Sequence, residues 1–217
     1  MSGPGQEAPS SPATLGVKGD HGESERKVTE VLVKVLEPGR LQMAWQQVRK
    51  NAGAAGIDQM TVAEFAQREE PLLALIHDKL KSGSYRFQPA RRVLIPKAGT
   101  SGTRKLGIPV VMDRIVGVSM HSVLEEIFDP DFTASNFGFR RGRSQHQAIR
   151  HLQRLVKEGR EWAVAIDLKS FFDEIPHGLI LQLIRRKVAD EQLVPLIARL
   201  LKAGVMVKGV FEKTTQG

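Results

Sequence analysis

A short apolar run that ends in an acid constrains this chain more than any other feature. Residues 162–176 read WAVAIDLKSFFDEIP, and four apolar residues lead directly into Asp167. Apolar runs of this length are typical of a buried strand, and Asp167 would then stand at its carboxyl end. A carboxylate fixed at that edge can hold Mg²⁺ against a substrate phosphate. The alternative is that Asp167 only caps the helix that follows.

The basic residues of the chain are clustered in the sequence. The formal net charge is +8, which favours a polyanionic partner. The stretch from Lys79 to Met112 contains no acid, and the stretch from Arg140 to Arg160 contains Glu158 alone. Two blocks of one sign predict a positive surface that attracts phosphate backbones. A solvated face, which needs no ligand, would have the same composition.

Several classes of protein are disfavoured by what the sequence lacks. Cysteine is absent, so disulfides and thiolate metal sites are excluded. No apolar run approaches the ~20 residues that span a bilayer, and the N-terminus has no signal-peptide core. We therefore expect a cytoplasmic protein with no membrane partner.

Periodicity and turn residues predict a helix-rich chain that also contains β-hairpins. Residues 1–22 are rich in Gly, Pro and Ser and predict a disordered tail. Thr61 and Glu64 are spaced as a capping box, and Ser144 is a candidate N-cap. The predicted helices cover residues 23–36, 40–50, 61–81, 112–128, 144–158, 177–189 and 191–203.

Two strands joined by a basic, glycine-rich loop are predicted near residues 91–109. Residues 91–96 form the first strand, residues 106–109 form its partner, and KAGTSGT connects them. Such a loop can bend over a phosphate with its backbone N–H groups and cations facing the ligand. A smaller hairpin is predicted at 205–213, so the fold class is α+β.

Five ordered segments resemble group II intron reverse transcriptases. They are AGIDQMTV (55–62), GSYRFQPARRVLIPK (83–97), RKLGIPVVMDRIV (104–116), FGFRRGRSQHQAI (137–149) and AIDLKSFFDEIPH (165–177). The resemblance implies a right-hand polymerase with helix-rich fingers over 23–158, a hairpin near 91–109, and an incomplete palm over 159–217. Arg141 stands where the family usually has proline, and Gln147 where it often has an acid.

The resemblance also implies a nucleotide site. Asp167 matches the first of three metal-binding aspartates. The backbone from Leu168 to Phe171 would face the triphosphate and help to hold Mg²⁺, with Leu168 as the metal-binding position. Phe172, beside Phe171, matches the aromatic residue that excludes a 2′-hydroxyl, although a core phenylalanine is the alternative. The fingers cations that clamp the triphosphate match Lys97 and Arg104, with Lys105 as a neighbour that could replace Arg104. A solvated hairpin tip is the alternative for these cations.

Nucleic-acid contacts are implied at the remaining basic residues. The candidates for template or primer backbone contacts are Arg91, Arg92, Arg140, Arg141 and Arg143. The neighbouring Phe137 and Phe139 are expected to pack in the core, and stacking on a base is the alternative.

The implied function is RNA-directed DNA polymerisation by two-metal nucleotidyl transfer, with a maturase role. The partners would be template or intron RNA, a DNA primer, dNTP and Mg²⁺. The Y-x-D-D turn that carries the other two aspartates is absent, since the only tyrosine is Tyr85. We expect this chain to be inactive by itself, with a separate C-terminal half as its partner. The alternative is a non-catalytic RNA-binding fragment from a truncated or split gene.

Overall fold

The helices and strands closely follow the local sequence signals. The computed structural model describes residues 27–96, 99 and 101–217. The predicted disordered tail lies outside these residues. The helices are α1 (Val31–Val35), α2 (Pro38–Asn51), α3 (Val62–Gln67), α4 (Glu69–Lys81), α5 (Val111–Phe128), α6 (Gln145–Lys157), α7 (Phe171–Glu174), α8 (His177–Lys187) and α9 (Leu193–Leu201). The strands are β1 (Ala90–Pro96), β2 (Thr103–Ile108), β3 (Val205–Val207) and β4 (Val210–Glu212), and a 3₁₀ turn covers Asp129–Asp131.

Two helix predictions were too long. The segment predicted as one helix over 61–81 breaks at Arg68, which has φ −129° and ψ 34°. Pro71 explains the break, because proline is tolerated in the first turn of α4 but not inside a continuous helix. Of the helix predicted over 23–36, only α1 is helical among the described residues. Val28, before α1, instead forms a parallel bridge with Val188. By contrast, both reciprocal bonds of the Thr61–Glu64 capping box are present.

A four-stranded sheet joins the two predicted hairpins in the order β2-β1-β3-β4. Strands β1 and β2 pair antiparallel, and so do β3 and β4, whereas β1 and β3 pair parallel. The parallel pair aligns Ala90 with Val205. Gly204, just before β3, has φ +74°, and a Cβ there would come within 2.6 Å of the Phe211 ring. Glycine is therefore required where the chain enters β3.

One hydrophobic core extends across the predicted boundary between fingers and palm. The rings of Trp45 and Phe65 lie 4.5 Å apart between centroids, and both are fully buried. Ile115 from α5 and Leu193 from α9 belong to the same buried cluster. The division of the chain at residue 158 stays a prediction. No helix among the described residues is long and apolar enough to cross a membrane.

Candidate nucleotide and nucleic-acid site

The β1–β2 hairpin presents its cations on two different faces. Arg104 lies opposite Ile95 in the antiparallel register, and Lys105 lies opposite Leu94. Because successive side chains of a strand point to opposite faces, Arg104 and Lys105 cannot reach the same point without rearrangement. Both are exposed. Lys97 lies outside the described residues.

Arg91 and Arg92, predicted to contact nucleic acid, are both half-buried. The Arg91 guanidinium donates to the Ala55 carbonyl from Nε at 3.0 Å and from Nη2 at 2.7 Å. The Nε of Arg92 is buried and has no hydrogen-bond acceptor among the described residues. Arg91 therefore uses part of its donor set to hold the loop that follows α2.

Arg114 holds the same loop, although it was not among the predicted site residues. Its Nε donates to the Pro109 carbonyl at 2.9 Å, its Nη1 to the Ala52 carbonyl at 3.4 Å, and its Nη2 to the Ala54 carbonyl. Burial lowers the pKa of Arg114. The signal that could have found it is the single arginine of α5, which follows Asp113 in the first turn of the helix.

Arg140 is committed to contacts inside the chain. Its Nε and Nη2 donate to the Asp129 carboxylate at 2.7 and 3.0 Å, and it also donates to the Thr133 and Asn136 carbonyls. Its side chain is only 8% exposed. The bonded guanidinium lowers the pKa of Asp129. These contacts close the loop that leads from α5 towards α6.

Arg141 and Arg143, the other two arginines of this loop, are exposed. Arg143 lies 5.6 Å from the Phe137 ring centroid and bonds weakly to the Ala134 carbonyl at 3.4 Å. The backbone N–H of Arg141 donates to Glu125 at 3.1 Å, and no bond of its guanidinium is found among the described residues. Both side chains are exposed, and the donors that they have left can meet a ligand phosphate.

The segment before Asp167 differs from its predicted form. Residues 161–168 belong to no helix or strand, and their backbone groups before Leu168 bond to no other described residue. Trp162 is 95% exposed and Ile166 is 84% exposed. A strand needs a neighbouring strand for its hydrogen bonds, and the four-stranded sheet of the described residues does not reach this segment. The prediction of a buried strand here is wrong for this chain.

Three exposed phenylalanines form a cluster, and two of them follow Asp167 closely in the sequence. The rings of Phe171 and Phe172 lie 5.4 Å apart, and the Phe172 ring meets the edge of the Phe139 ring at 6.0 Å. Phe139 is 92% exposed and has φ +55°. The prediction that it packs in the core is wrong, because the loop closed by Arg140 turns its ring outwards.

The oxygen donors around Asp167 do not form a complete metal site. Asp167 is exposed, and the described residues contain no group of three or more His, Cys, Asp or Glu side chains placed to hold a metal ion. One carboxylate and the Leu168 carbonyl would supply only part of a magnesium coordination sphere.

Comparison with known proteins identifies the family. The family model described as reverse transcriptase (RNA-dependent DNA polymerase) matches residues 95–217, more than half of the chain. Protein YkfC of Escherichia coli K12 is 36% identical over 172 residues, which are 77% of this chain and 45% of YkfC. The group II intron-encoded protein LtrA of Lactococcus lactis subsp. cremoris is 34% identical over 200 residues, which are 89% of this chain and 33% of LtrA.

A solved structure supports the fold. A chain of a partial Cas6-RT-Cas1–Cas2 complex superposes with a TM-score of 0.52 over 84% of this chain and 30% of that chain, at 19% identity. The present chain spans less than half the length of YkfC and of LtrA. On the matched residues 95–217 and these relatives, the chain belongs to the reverse transcriptase family of the group II intron, or maturase, type.

Proposed function

We propose that this chain carries the nucleotide-binding fingers and the first metal-binding aspartate of an RNA-directed DNA polymerase. The observation that carries the proposal is the exposure of Asp167 and of the Phe171 and Phe172 rings that follow it in the sequence, inside the segment that matches the reverse transcriptase family. Exposed aromatic rings are unfavourable in a folded protein unless a ligand or partner covers them. A cytoplasmic location and a maturase role belong to the same proposal.

In this proposal the incoming nucleotide is bound from two sides. Arg104 on β2, together with Lys97, binds the triphosphate and offsets the negative charge that develops on it during transfer. Lys105 lies on the opposite face of the strand from Arg104, so we assign it to a neighbouring phosphate of the nucleic acid or nucleotide. Phe172 packs against the sugar and excludes a 2′-hydroxyl.

Asp167 and the Leu168 carbonyl would bind magnesium together with carboxylates from outside this chain. The bound ion would supply charge neutralisation at the transferred phosphate and acidify the primer hydroxyl. Because the described residues provide too few oxygen ligands by themselves, we propose that this chain alone does not polymerise DNA. The rest of the site would come from a C-terminal half of the polymerase.

Template and primer would lie along the exposed basic surface. Arg141 and Arg143 are assigned to backbone phosphates, which position a nucleic acid without reading its sequence. Arg140 supports the loop that carries them, and Arg91 and Arg92 contribute through the donors that they have left.

Primer extension tests the proposal. The purified chain, given primer–template, dNTP and Mg²⁺, should show no extension. Extension should appear when the remaining part of a group II intron reverse transcriptase is added in trans. Asp167→Asn should abolish it, while Glu161→Gln, a nearby exposed acid change, should not. Synthesis by the chain alone would disprove the proposed division of the metal site.

A non-catalytic RNA-binding fragment is the second candidate. It is favoured by the absence of a three-acid cluster among the described residues and by the exposed guanidinium groups of Arg141 and Arg143. Under this reading the chain binds RNA, and no added polypeptide restores extension.

A further inference from the structure

Arg199, in the last turn of α9, carries a charge that no described residue neutralises. Its side chain is half-buried, and its Nε atom is buried without a hydrogen-bond acceptor. No hydrogen bond or salt bridge joins its guanidinium to another described residue. A desolvated guanidinium without an acceptor destabilises a fold, because the group has lost water and gained no partner. The missing acceptor therefore indicates a ligand.

A second arginine, Arg86, is brought to the same place by the segment between α4 and β1. The backbone N–H of Ala90 donates to the Gly204 carbonyl at 3.0 Å, so the chain that enters β1 runs beside the chain that leaves α9. Arg86 lies on the first of these segments. Burial lowers the pKa of Arg199, and the positive charge of Arg86 lowers it further. Because such an effect fades with distance, the two guanidinium groups lie close together.

Arg86 is held in position by the backbone. Its side chain is exposed, but its Nη1 donates to the Gly83 carbonyl at 3.0 Å and to the Tyr85 carbonyl at 2.9 Å. Its Nε and Nη2 have no acceptor in the part of the chain that the structure describes. One arginine is thus fixed by carbonyl oxygens and the other by burial, and both keep unused donors.

Nothing in the described residues offsets this pair of like charges. Neither arginine forms a salt bridge with a described acid. Asp113, which faces the same segment before β1, already accepts from the Tyr85 hydroxyl and the Gln88 backbone N–H. The carboxyl end of α9 supplies about half of one negative charge, and its carbonyl groups accept no bond from Arg199. Two neighbouring cations repel each other unless an anion joins them.

We propose that Arg86 and Arg199 together bind a phosphate group. Arginine donors form a planar fork that bonds two phosphate oxygens at once, and a phosphate has oxygens left for the second arginine. The group is either one phosphate of an RNA backbone or a free phosphate ion or monoester. The RNA source rests on the proposed function, whereas the phosphate site itself does not.

Three substitutions test the site. Arg199→Met removes the charge but keeps an apolar side chain of similar length, so the packing of the arginine stem is retained. Arg86→Gln removes the second charge. Lys202→Gln is the matched control, because Lys202 is an exposed cation just after α9. Phosphate strengthens folded proteins in general, so the difference between variants is the quantity of interest.

Thermal unfolding is measured with increasing inorganic phosphate, with sodium chloride keeping the ionic strength constant. Without phosphate, Arg199→Met should unfold at or above the midpoint of the wild type, because it removes an unpaired buried charge. At about 50 mM phosphate, the midpoints of the wild type and of Lys202→Gln should rise about 3 °C more than those of Arg199→Met and Arg86→Gln, for a Kd of about 10 mM.

Binding of a single-stranded RNA oligonucleotide distinguishes the two sources of phosphate. If the phosphate belongs to RNA, Arg199→Met and Arg86→Gln should each reduce the slope of log K against log salt by about one, and Lys202→Gln should change it less. Unchanged slopes, together with a lost response to inorganic phosphate, would identify a free phosphate or a monoester as the ligand.

Three results would overturn the phosphate site. The first is a response to inorganic phosphate that is equal in the wild type and Arg199→Met. The second is a loss of that response in Lys202→Gln as large as in Arg199→Met, which would show only a diffuse positive surface. The third is an Arg199→Met midpoint that lies below the wild type by the same amount at every phosphate concentration, which would make Arg199 a structural residue.

Discussion

The hydroxyl of Tyr85 donates a 2.8 Å hydrogen bond to Oδ1 of Asp113, and both residues are buried. The backbone N–H of Gln88 donates to Oδ2 at 2.9 Å. A carboxylate in the first turn of α5 is thus tied to the chain that enters β1. Burial raises the pKa of Asp113 to about 6, although both hydrogen bonds oppose the rise. Burial, with the charge of Asp113, also raises the pKa of Tyr85, which keeps the hydroxyl protonated as a donor.

Stability should fall as pH rises through the pKa of Asp113. Its pKa in the folded protein, about 6, lies above the ordinary 3.8, so folding favours the protonated carboxyl. The stabilisation from the protonated carboxyl amounts to at most about 3 kcal/mol. It is fully present below pH 4 and is lost by about pH 7. Urea unfolding of the wild type and Asp113→Asn between these pH values measures it, since the variant lacks the titration. A stability difference between the two proteins that does not change with pH would contradict the pKa.

Asp58→Asn should move that transition to lower pH. The charge of Asp58 helps to raise the pKa of Asp113, so its removal makes the Asp113 carboxylate easier to form. The same unfolding series should then show the loss of stability beginning at a lower pH than in the wild type. An unchanged profile would mean that Asp58 is screened by solvent.

Asp190→Ala should destabilise the fold by about 3 kcal/mol, because it removes two helix caps and leaves buried donors unpaired. Asp190 Oδ2 accepts from the backbone N–H of Leu32 at 2.8 Å, and Oδ1 accepts from those of Gln192 and Leu193 at 2.9 and 2.7 Å. The exposed neighbour gives the control, since Glu191→Ala should change the free energy of unfolding by less than about 0.5 kcal/mol. Equal effects in denaturant unfolding would count against the capping role.

Gly56→Ala should prevent the loop after α2 from closing on Val110. A Cβ at Gly56 would lie 2.7 Å from the backbone of Val110, closer than real Cβ atoms approach. Gly117→Ala is the matched control, because it has open space in a helix and should stabilise by up to about 1 kcal/mol. The midpoint of thermal unfolding should therefore fall for Gly56→Ala and rise for Gly117→Ala. Shifts of the same sign would refute the close contact.

We expect the arginines of the loop between α5 and α6 to have two different roles, one structural and one in RNA binding. Arg143→Ala and Arg141→Ala should weaken RNA binding and reduce the slope of log K against log salt by about one for each lost phosphate contact. Arg140→Ala should instead lower stability, because it leaves the Asp129 carboxylate and two loop carbonyls without their donor. A salt titration of RNA affinity, with unfolding measured in parallel, tests both halves. If RNA affinity changes neither with salt concentration nor with Arg143→Ala, the basic loop is only a solvated surface.

Local sequence signals determined most of the secondary structure of this chain. Three signals act within a few residues: the capping box at Thr61, the N-cap at Ser144 and the turn at Lys208-Gly209. They can therefore be recognised from the sequence alone. The family could also be recognised, because it rests on five ordered segments that keep their residues in any context.

Tertiary structure decided which charged groups are free and which apolar segments are covered. Arg140 and Arg143 look alike in sequence, but only the closed loop places Asp129 against Arg140 and leaves Arg143 in solvent. The parallel pairing of β1 with β3 joins residues more than a hundred positions apart, which no local pattern specifies. The run before Asp167 has the composition of a buried strand, yet it stays exposed, because burial depends on a neighbouring strand that composition cannot supply.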